Sequence, residues 1–196
     1  IIKIMHYLSV IAMFKNESTI IEQWIQHYLL EGVEHFYLID NGSTDDYEKE
    51  IKKYFKKITL IKDNYRQERD TQNVLINKHY LNQVKKESIW VIICDIDEYI
   101  YNTSYDKTIK TYLNNVNNCE KFWIPWKLFS ASNDPNIIPT SIVYDLTTRK
   151  NDIIDKKGFG KSIVKCTNLI QLETHNSSIN GITKNLTLSD NLHCNH

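Results

Sequence analysis

Trp90-Val-Ile-Ile-Cys-Asp95-Ile-Asp97-Glu98-Tyr99 is an apolar run that stops at two carboxylates one residue apart. From Ile89 to Ile93 every residue is β-branched or aromatic, with no polar alternation. That pattern predicts a strand buried on both faces, as strands inside parallel sheets are. In such sheets, ligands collect beyond the carboxyl ends of the strands. Asp95 and Asp97 share a face if the extended backbone continues, and two carboxylates so placed repel unless a cation lies between them. Hard oxygen donors suit Mg²⁺ or Mn²⁺, ions that commonly bridge to substrate phosphates. The plain alternative is a polar strand end carrying two unrelated acids.

Composition sets the bounds. A chain of 196 residues, 41% hydrophobic and 11% aromatic, can bury one good core, and this length favours one domain over 1–196. The 24 basic and 24 acidic residues cancel, so there is neither the basic footprint of a nucleic-acid binder nor a polybasic membrane cluster. No apolar run approaches the ~20 residues needed to span a bilayer, and no signal peptide is visible. The expected placement is cytoplasmic, or membrane-associated through a segment outside this sequence. Cys94, Cys119, Cys166 and Cys194 show neither C-x-x-C nor zinc-ligand spacing.

Outward from Trp90–Tyr99, the chain alternates. Tyr7 to Phe14 reads as a first strand, His35 to Ile39 as a second, Ile58 to Ile61 as a third and Ile89 to Cys94 as the fourth. Between them lie helical patterns. Thr19-Ile-Ile-Glu22 has capping-box form, and Ile21, Trp24, Ile25, Tyr28 and Leu29 follow at helical spacing up to Gly32. Asp46 opens an amphipathic helix through Phe55, and Glu68 to Lys85 makes a long one. This rhythm predicts an α/β fold, a Rossmann-like αβα sandwich about a mostly parallel sheet. After Asp97 the expectation is a helix near 106–116, an aromatic strand from Lys121 to Phe129, a polar loop over 130–140, and short β-like runs at 142–147 and 162–165.

Three segments together resemble a known family: Phe14-Lys-Asn-Glu17 after the first strand, Asp40-Asn-Gly-Ser-Thr-Asp45 after the second, and Asp95-Ile-Asp97-Glu98 after the fourth. They are similar to the nucleotide-diphosphate-sugar-dependent glycosyltransferases of the GT-A fold, nearest the family-2-like and family-92-like group, whose members carry K-N-E, D-N-x-S-x-D and D-x-D-E in that order. The first segment runs on into E-x-W-I-x-H-Y-x-x-x-G-V-x-H-F-Y, matched from Glu22 to Tyr37. The resemblance implies a nucleotide-binding half over about 1–100 and an acceptor-side half over about 101–196. It implies a UDP-sugar donor, Mn²⁺ or Mg²⁺, and a glycan or glycoprotein acceptor.

Residue by residue, the resemblance assigns Phe14, Asn16 and Glu17 to the wall holding base and ribose, with Asp40 accepting a hydrogen bond from the base. Phe14 reads equally well as core, and Asp45 as a helix cap. Arg69, and less so Arg66, offers a planar fork for a pyrimidine carbonyl or a phosphate, against ordinary surface ion pairing; Gln72 matches a family position one turn on. Asp95 and Asp97 would hold the metal that grips the diphosphate, with Glu98 orienting the ligands. Trp123, Trp126 and Phe129 resemble the segment before the acceptor loop, and strand alternation lets only one of the two tryptophans reach the cleft. Asp134 lies where a general base would come from, although it also reads as a turn residue before Pro135. Arg149, Lys161 and Lys165 are placed to meet phosphates, Lys161 within Gly158-Phe-Gly-Lys-Ser. Asn195-His196 matches the start of a family Asn-His-Tyr that brings a histidine toward the metal, so His196 is a candidate ligand; His175, after a strand, and His193 read as structural.

Rival readings fit less well. A haloacid dehalogenase phosphatase wants D-x-D-x-[TV] after its first strand, and here the pair follows the fourth with Tyr99 in the last position. A nucleotidyltransferase needs a glycine-rich phosphate loop, and the chain has five glycines in all. The remaining alternative is a sugar-nucleotide-binding scaffold of the same fold without turnover.

Overall fold

A computed structural model describes residues 5–67, 69–130, 148–149 and 159–196. The first half follows the predicted alternation: β1 (His6–Phe14), α1 (Ile21–Leu30), β2 (His35–Asp40), α2 (Tyr47–Ile51), β3 (Ile58–Lys62), α3 (Thr71–Glu87) and β4 (Ser88–Ile93). The helix predicted to run through Phe55 is shorter, because α2 tightens into a 3₁₀ turn at Lys52–Lys57. β1 pairs in parallel with both β2 and β4, and β2 with β3. These four strands therefore all end at one sheet edge.

The second half is β5 (Tyr99–Asn102), α4 (Ile109–Asn114), β6 (Lys121–Lys127), β7 (Phe129–Ser130), β8 (Thr148–Arg149), β9 (Gly160–Lys165), β10 (Leu169–Gln171), β11 (Ser178–Ile179), β12 (Thr183–Asn185) and β13 (Leu192–Asn195). β9 inserts antiparallel between β4 and β6. β13 lies parallel to β6 and antiparallel to β5, giving the order β3-β2-β1-β4-β9-β6-β13-β5 with β12 against β6. The result is a mixed α/β architecture on a mostly parallel sheet. The loop predicted over 130–140 begins with Ser130 in β7; the rest of it, with Asp134, and the β-like run at 142–147 lie outside the described residues.

Side-chain alternation makes the layers. Leu8, Val10, Ala12 and Phe14 of β1, Phe36 and Leu38 of β2, and Trp90 and Ile92 of β4 pack with Trp24 and Ile25 of α1, Ile51 of α2 and Ile109 of α4. The alternate residues Ile11, Tyr37, Ile39, Val91 and Ile93 pack on the other face with Leu75, Ile76, Tyr80 and Val84 of α3. A strand covered on both faces cannot alternate apolar with polar, which is why Ile89–Ile93 reads as a continuous run. α1 ends in a Schellman arrangement: Val33 N–H reaches Tyr28 O, Gly32 N–H reaches Leu29 O, and Gly32 sits at φ +91°. The capping box expected at Thr19 does not form; the Glu17 carbonyl instead receives the N–H groups of Ile20 and Ile21. Among the described residues no helix is long and apolar enough to cross a membrane.

Candidate active site

The loops after β1, β2 and β4 leave the same edge, and polar side chains join them. Asn16, in the left-handed region at φ +58°, accepts from Thr44 N–H at 2.7 Å through Oδ1, while its own N–H donates to Ser43 Oγ at 3.0 Å. Asp45 does not cap α2. Its Oδ2 accepts from Ser18 N–H at 2.8 Å, which makes it a tether between the first two loops. Asn41 donates to the carbonyls of Asp63 and Tyr65, tying in the segment after β3. Asp40 is 4% exposed and accepts from Ser43 N–H and Tyr47 OH, so its carboxylate shapes the loop from inside. Phe14 is equally buried, edge-on to Tyr47.

Asp95 is held on every side. Its Oδ1 accepts from Gln72 Nε2 at 2.7 Å and its Oδ2 from Lys161 Nζ at 2.6 Å. Its carbonyl accepts from Trp24 Nε1 and its N–H donates to Glu98 Oε2 at 2.8 Å. Lys161 does not meet solvent: its side chain is 0% exposed and lies 3.0 Å from Glu98 Oε2, beside the Trp126 ring. Burial works against its charge, but Glu98 and Asp95 hold its pKa above the ordinary lysine value. Glu98, wholly buried, is raised by that burial in spite of Lys161.

Asp97 faces outward, half-exposed, with its Oδ2 3.3 Å from His196 Nε2. The contact lowers the Asp97 carboxyl and raises the His196 imidazole. The Glu17 carboxyl on the neighbouring loop is raised by burial, then by Asp97 and Asp45. His196 is fixed by its backbone, which donates to Lys127 O and accepts from Phe129 N–H, and its ring lies against Trp126 at 4.5 Å between centroids. Trp126 also touches Phe159 and His175, so it is the tryptophan of the β6 pair that borders the site. Arg66 and Arg69 are exposed in the segment leading into α3. His193 bonds Leu188 O on the far end of β13.

Asp97 and His196 suit a divalent cation. Adjacent ligands of an octahedral ion at 2.0–2.1 Å stand roughly 3 Å apart, close to the separation found here. Glu98 Oε1 and His196 Nδ1, 4.0 Å apart, are both buried without a hydrogen-bond partner, as is Nε1 of Trp126, whose ring lies against His196. Among the described residues no three His, Cys, Asp or Glu side chains converge on one point; an ion held by Asp97 and His196 would take its remaining ligands from substrate oxygens and water. Each oxygen of Asp95 already accepts a hydrogen bond, from Gln72 and from Lys161, and Asp97 is the more open carboxylate of the two. Sequence reasoning missed the Trp24 indole bond and the Asp45 tether; neither has a local sequence signal.

A family model described as Glycosyltransferase family 92 matches residues 6–191. A curated Arabidopsis thaliana protein named as a glycosyltransferase family 92 protein is 30% identical over 102 residues, 49% of this chain and 16% of that relative. The crystal structure of S. aureus TarS 1–349 superposes with a TM-score of 0.56 at 16% identity, covering 95% of this chain and 60% of that one. That likeness is one of fold, and in both cases the chain spans less than two thirds of its relative.

Proposed function

The chain belongs to glycosyltransferase family 92, and from that membership we propose that it transfers a sugar, a hexosyl or N-acetylhexosaminyl unit, from a nucleotide-diphosphate donor to a glycan or protein-linked acceptor. The donor is a UDP-sugar, the scaffold is of GT-A type, and the cation is Mn²⁺ or Mg²⁺. The observation that carries the reading is the Asp97–His196 pair at 3.3 Å, at the edge where three strand-end loops meet.

Glycosyl transfer expels a nucleoside diphosphate, and a bound divalent ion would offset the charge growing on that leaving group. Asp97 and His196 would hold it. Asn16, Glu17 and the β2 loop form the wall for base and ribose, with Asp40 and Asp45 fixing the loop's shape from behind. Arg69 at the entrance to α3 supplies a fork for a base carbonyl or a phosphate oxygen. Asp95, anchored by Gln72 and Lys161, keeps the acidic loop in register beside the nucleotide. Asp134 is the proposed base that takes the proton of the acceptor hydroxyl.

The test is a calorimetric screen of nucleoside diphosphates and nucleotide sugars with and without Mn²⁺, coupled to an assay of slow donor hydrolysis. Mn²⁺-dependent UDP binding with hydrolysis is expected. Binding without hydrolysis would instead favour an inert sugar-nucleotide binder, and no nucleotide binding at all would remove the proposal.

A further inference from the structure

We propose that Glu98 is the positioning residue for His196: it fixes which ring nitrogen carries the proton and so turns the other toward the cation position beside Asp97. The inference rests on the cation reading above and concerns a residue that would not itself touch the ion.

Two observations carry it. Glu98 Oε1 and His196 Nδ1 are both buried, both without a hydrogen-bond partner, and 4.0 Å apart. One is an acceptor and the other can be a donor, so a small ring rotation pairs them. A buried polar atom left unpaired keeps its full desolvation cost, which gives the rotation a driving force. Meanwhile the second oxygen of Glu98 is committed to donors, Asp95 N–H at 2.8 Å and Lys161 Nζ at 3.0 Å. The carboxylate therefore cannot turn away, and its free oxygen stays aimed at the imidazole.

A neutral imidazole has one donor and one acceptor nitrogen. With the proton on Nδ1 shared with Glu98, the Nε2 lone pair faces the Asp97 side, as a metal ligand requires. Histidine ligands generally donate their second N–H to a carboxylate or carbonyl in this way.

Glu98→Gln is a sharp test because it reverses polarity. Asp95 N–H and Lys161 both donate, so the new amide must keep its oxygen on them and present its NH₂ to His196. Nδ1 then has to accept, and the proton moves to Nε2, where it blocks a ligand position. The first measurement is long-range ¹H–¹⁵N NMR of the His196 ring at alkaline pH with Mg²⁺ present, because without an ion Asp97, 3.3 Å from Nε2, competes for the proton. The wild-type chain is expected in the Nδ1–H form and Glu98→Gln in the Nε2–H form. The second is Mn²⁺ titration followed by electron paramagnetic resonance, with Glu98→Gln binding roughly 10- to 100-fold more weakly. A wild-type ring in the Nε2–H form overturns the inference without any variant, which covers a variant that does not fold. Equal Mn²⁺ affinity of a folded Glu98→Gln chain overturns it too. Absence of Mn²⁺ binding by the wild-type chain defeats the cation reading and this inference with it, whereas Mn²⁺ binding with the wrong tautomer defeats the inference alone.

Discussion

Lys161 Nζ lies 2.6 Å from Asp95 Oδ2 with none of the lysine side chain in contact with solvent. A lysine in Gly-Lys-Ser beside a nucleotide site reads as a phosphate contact; here it is an internal counter-ion. It answers two of the three carboxylates of the acidic loop and leaves Asp97 as the one facing outward.

Lys161→Met would strand two carboxylates beside a hydrophobic side chain. Breaking a buried pair by removing one partner costs about 3–5 kcal/mol, so chemical denaturation is expected to show a loss of that order. The Lys161→Met/Asp95→Asn double variant should recover part of it, since neighbouring substitutions are not additive. Additive losses would mean that the pair is not coupled.

The same geometry separates the two aspartates. Asp97→Asn and His196→Ala are each expected to weaken Mn²⁺ binding at least about tenfold, or about 1.4 kcal/mol, because each removes one of the two proposed ligands. Asp95→Asn should stay within roughly threefold of wild type on that same scale, as its oxygens already serve Gln72 and Lys161. Calorimetry on the three variants checks the order; an Asp95→Asn chain that loses Mn²⁺ as fully as Asp97→Asn would show that Asp95 leaves Lys161 to bind the ion.

Asn16 joins conformational and hydrogen-bonding demands in one residue. Alanine at its φ of +58° pays about 1–2 kcal/mol for the left-handed backbone and loses the bond to Thr44, about 1 kcal/mol more. Glycine loses only the bond. Melting temperatures should therefore fall in the order wild type, Asn16→Gly, Asn16→Ala, with KM for the donor rising more than kcat falls. Equal melting temperatures for the two variants would contradict the backbone argument.

Four parallel strands, α1 and α3 are legible in the sequence because burial on two faces leaves unbroken apolar runs and helices leave three- and four-residue spacing. β5 and β13 are not. Each has four residues, too few for a pattern, and they pair across some ninety positions of chain, Tyr99 against Asn195. The site follows the same division. That the three motifs share an edge follows from strand order, whereas the burial of Lys161 depends on β9 running antiparallel between β4 and β6, which no local pattern announces. Gly160 belongs to that packing: a Cβ there would collide with the Ile124 carbonyl oxygen, so the backbone must pass β6 closely for Lys161 to reach Asp95.

Glu31 gives the fold a pH dependence far from the acidic loop. It closes α1 onto α4: its Oε2 accepts from Ile109 N–H at 2.8 Å and its carbonyl from Lys110 N–H. Burial raises its carboxyl from the ordinary 4.5 to about 6, against the pull of the Ile109 and Asn102 backbone. A folded-state pKa above the unfolded one means that the fold binds this proton more tightly. The resulting stabilisation is complete below about pH 4.5 and is lost as the pH rises through about 6. The full shift would correspond to about 2 kcal/mol; because the side chain is partly solvated, about 1 kcal/mol is the better expectation. Glu31→Gln keeps an acceptor for Ile109 N–H and removes the titration. Urea unfolding of both chains at pH 4.5 and pH 7.5 should show the variant gaining about 1 kcal/mol on wild type between the two conditions. A gap that does not change with pH would mean that the Glu31 carboxyl titrates in the folded chain as it does in the unfolded one.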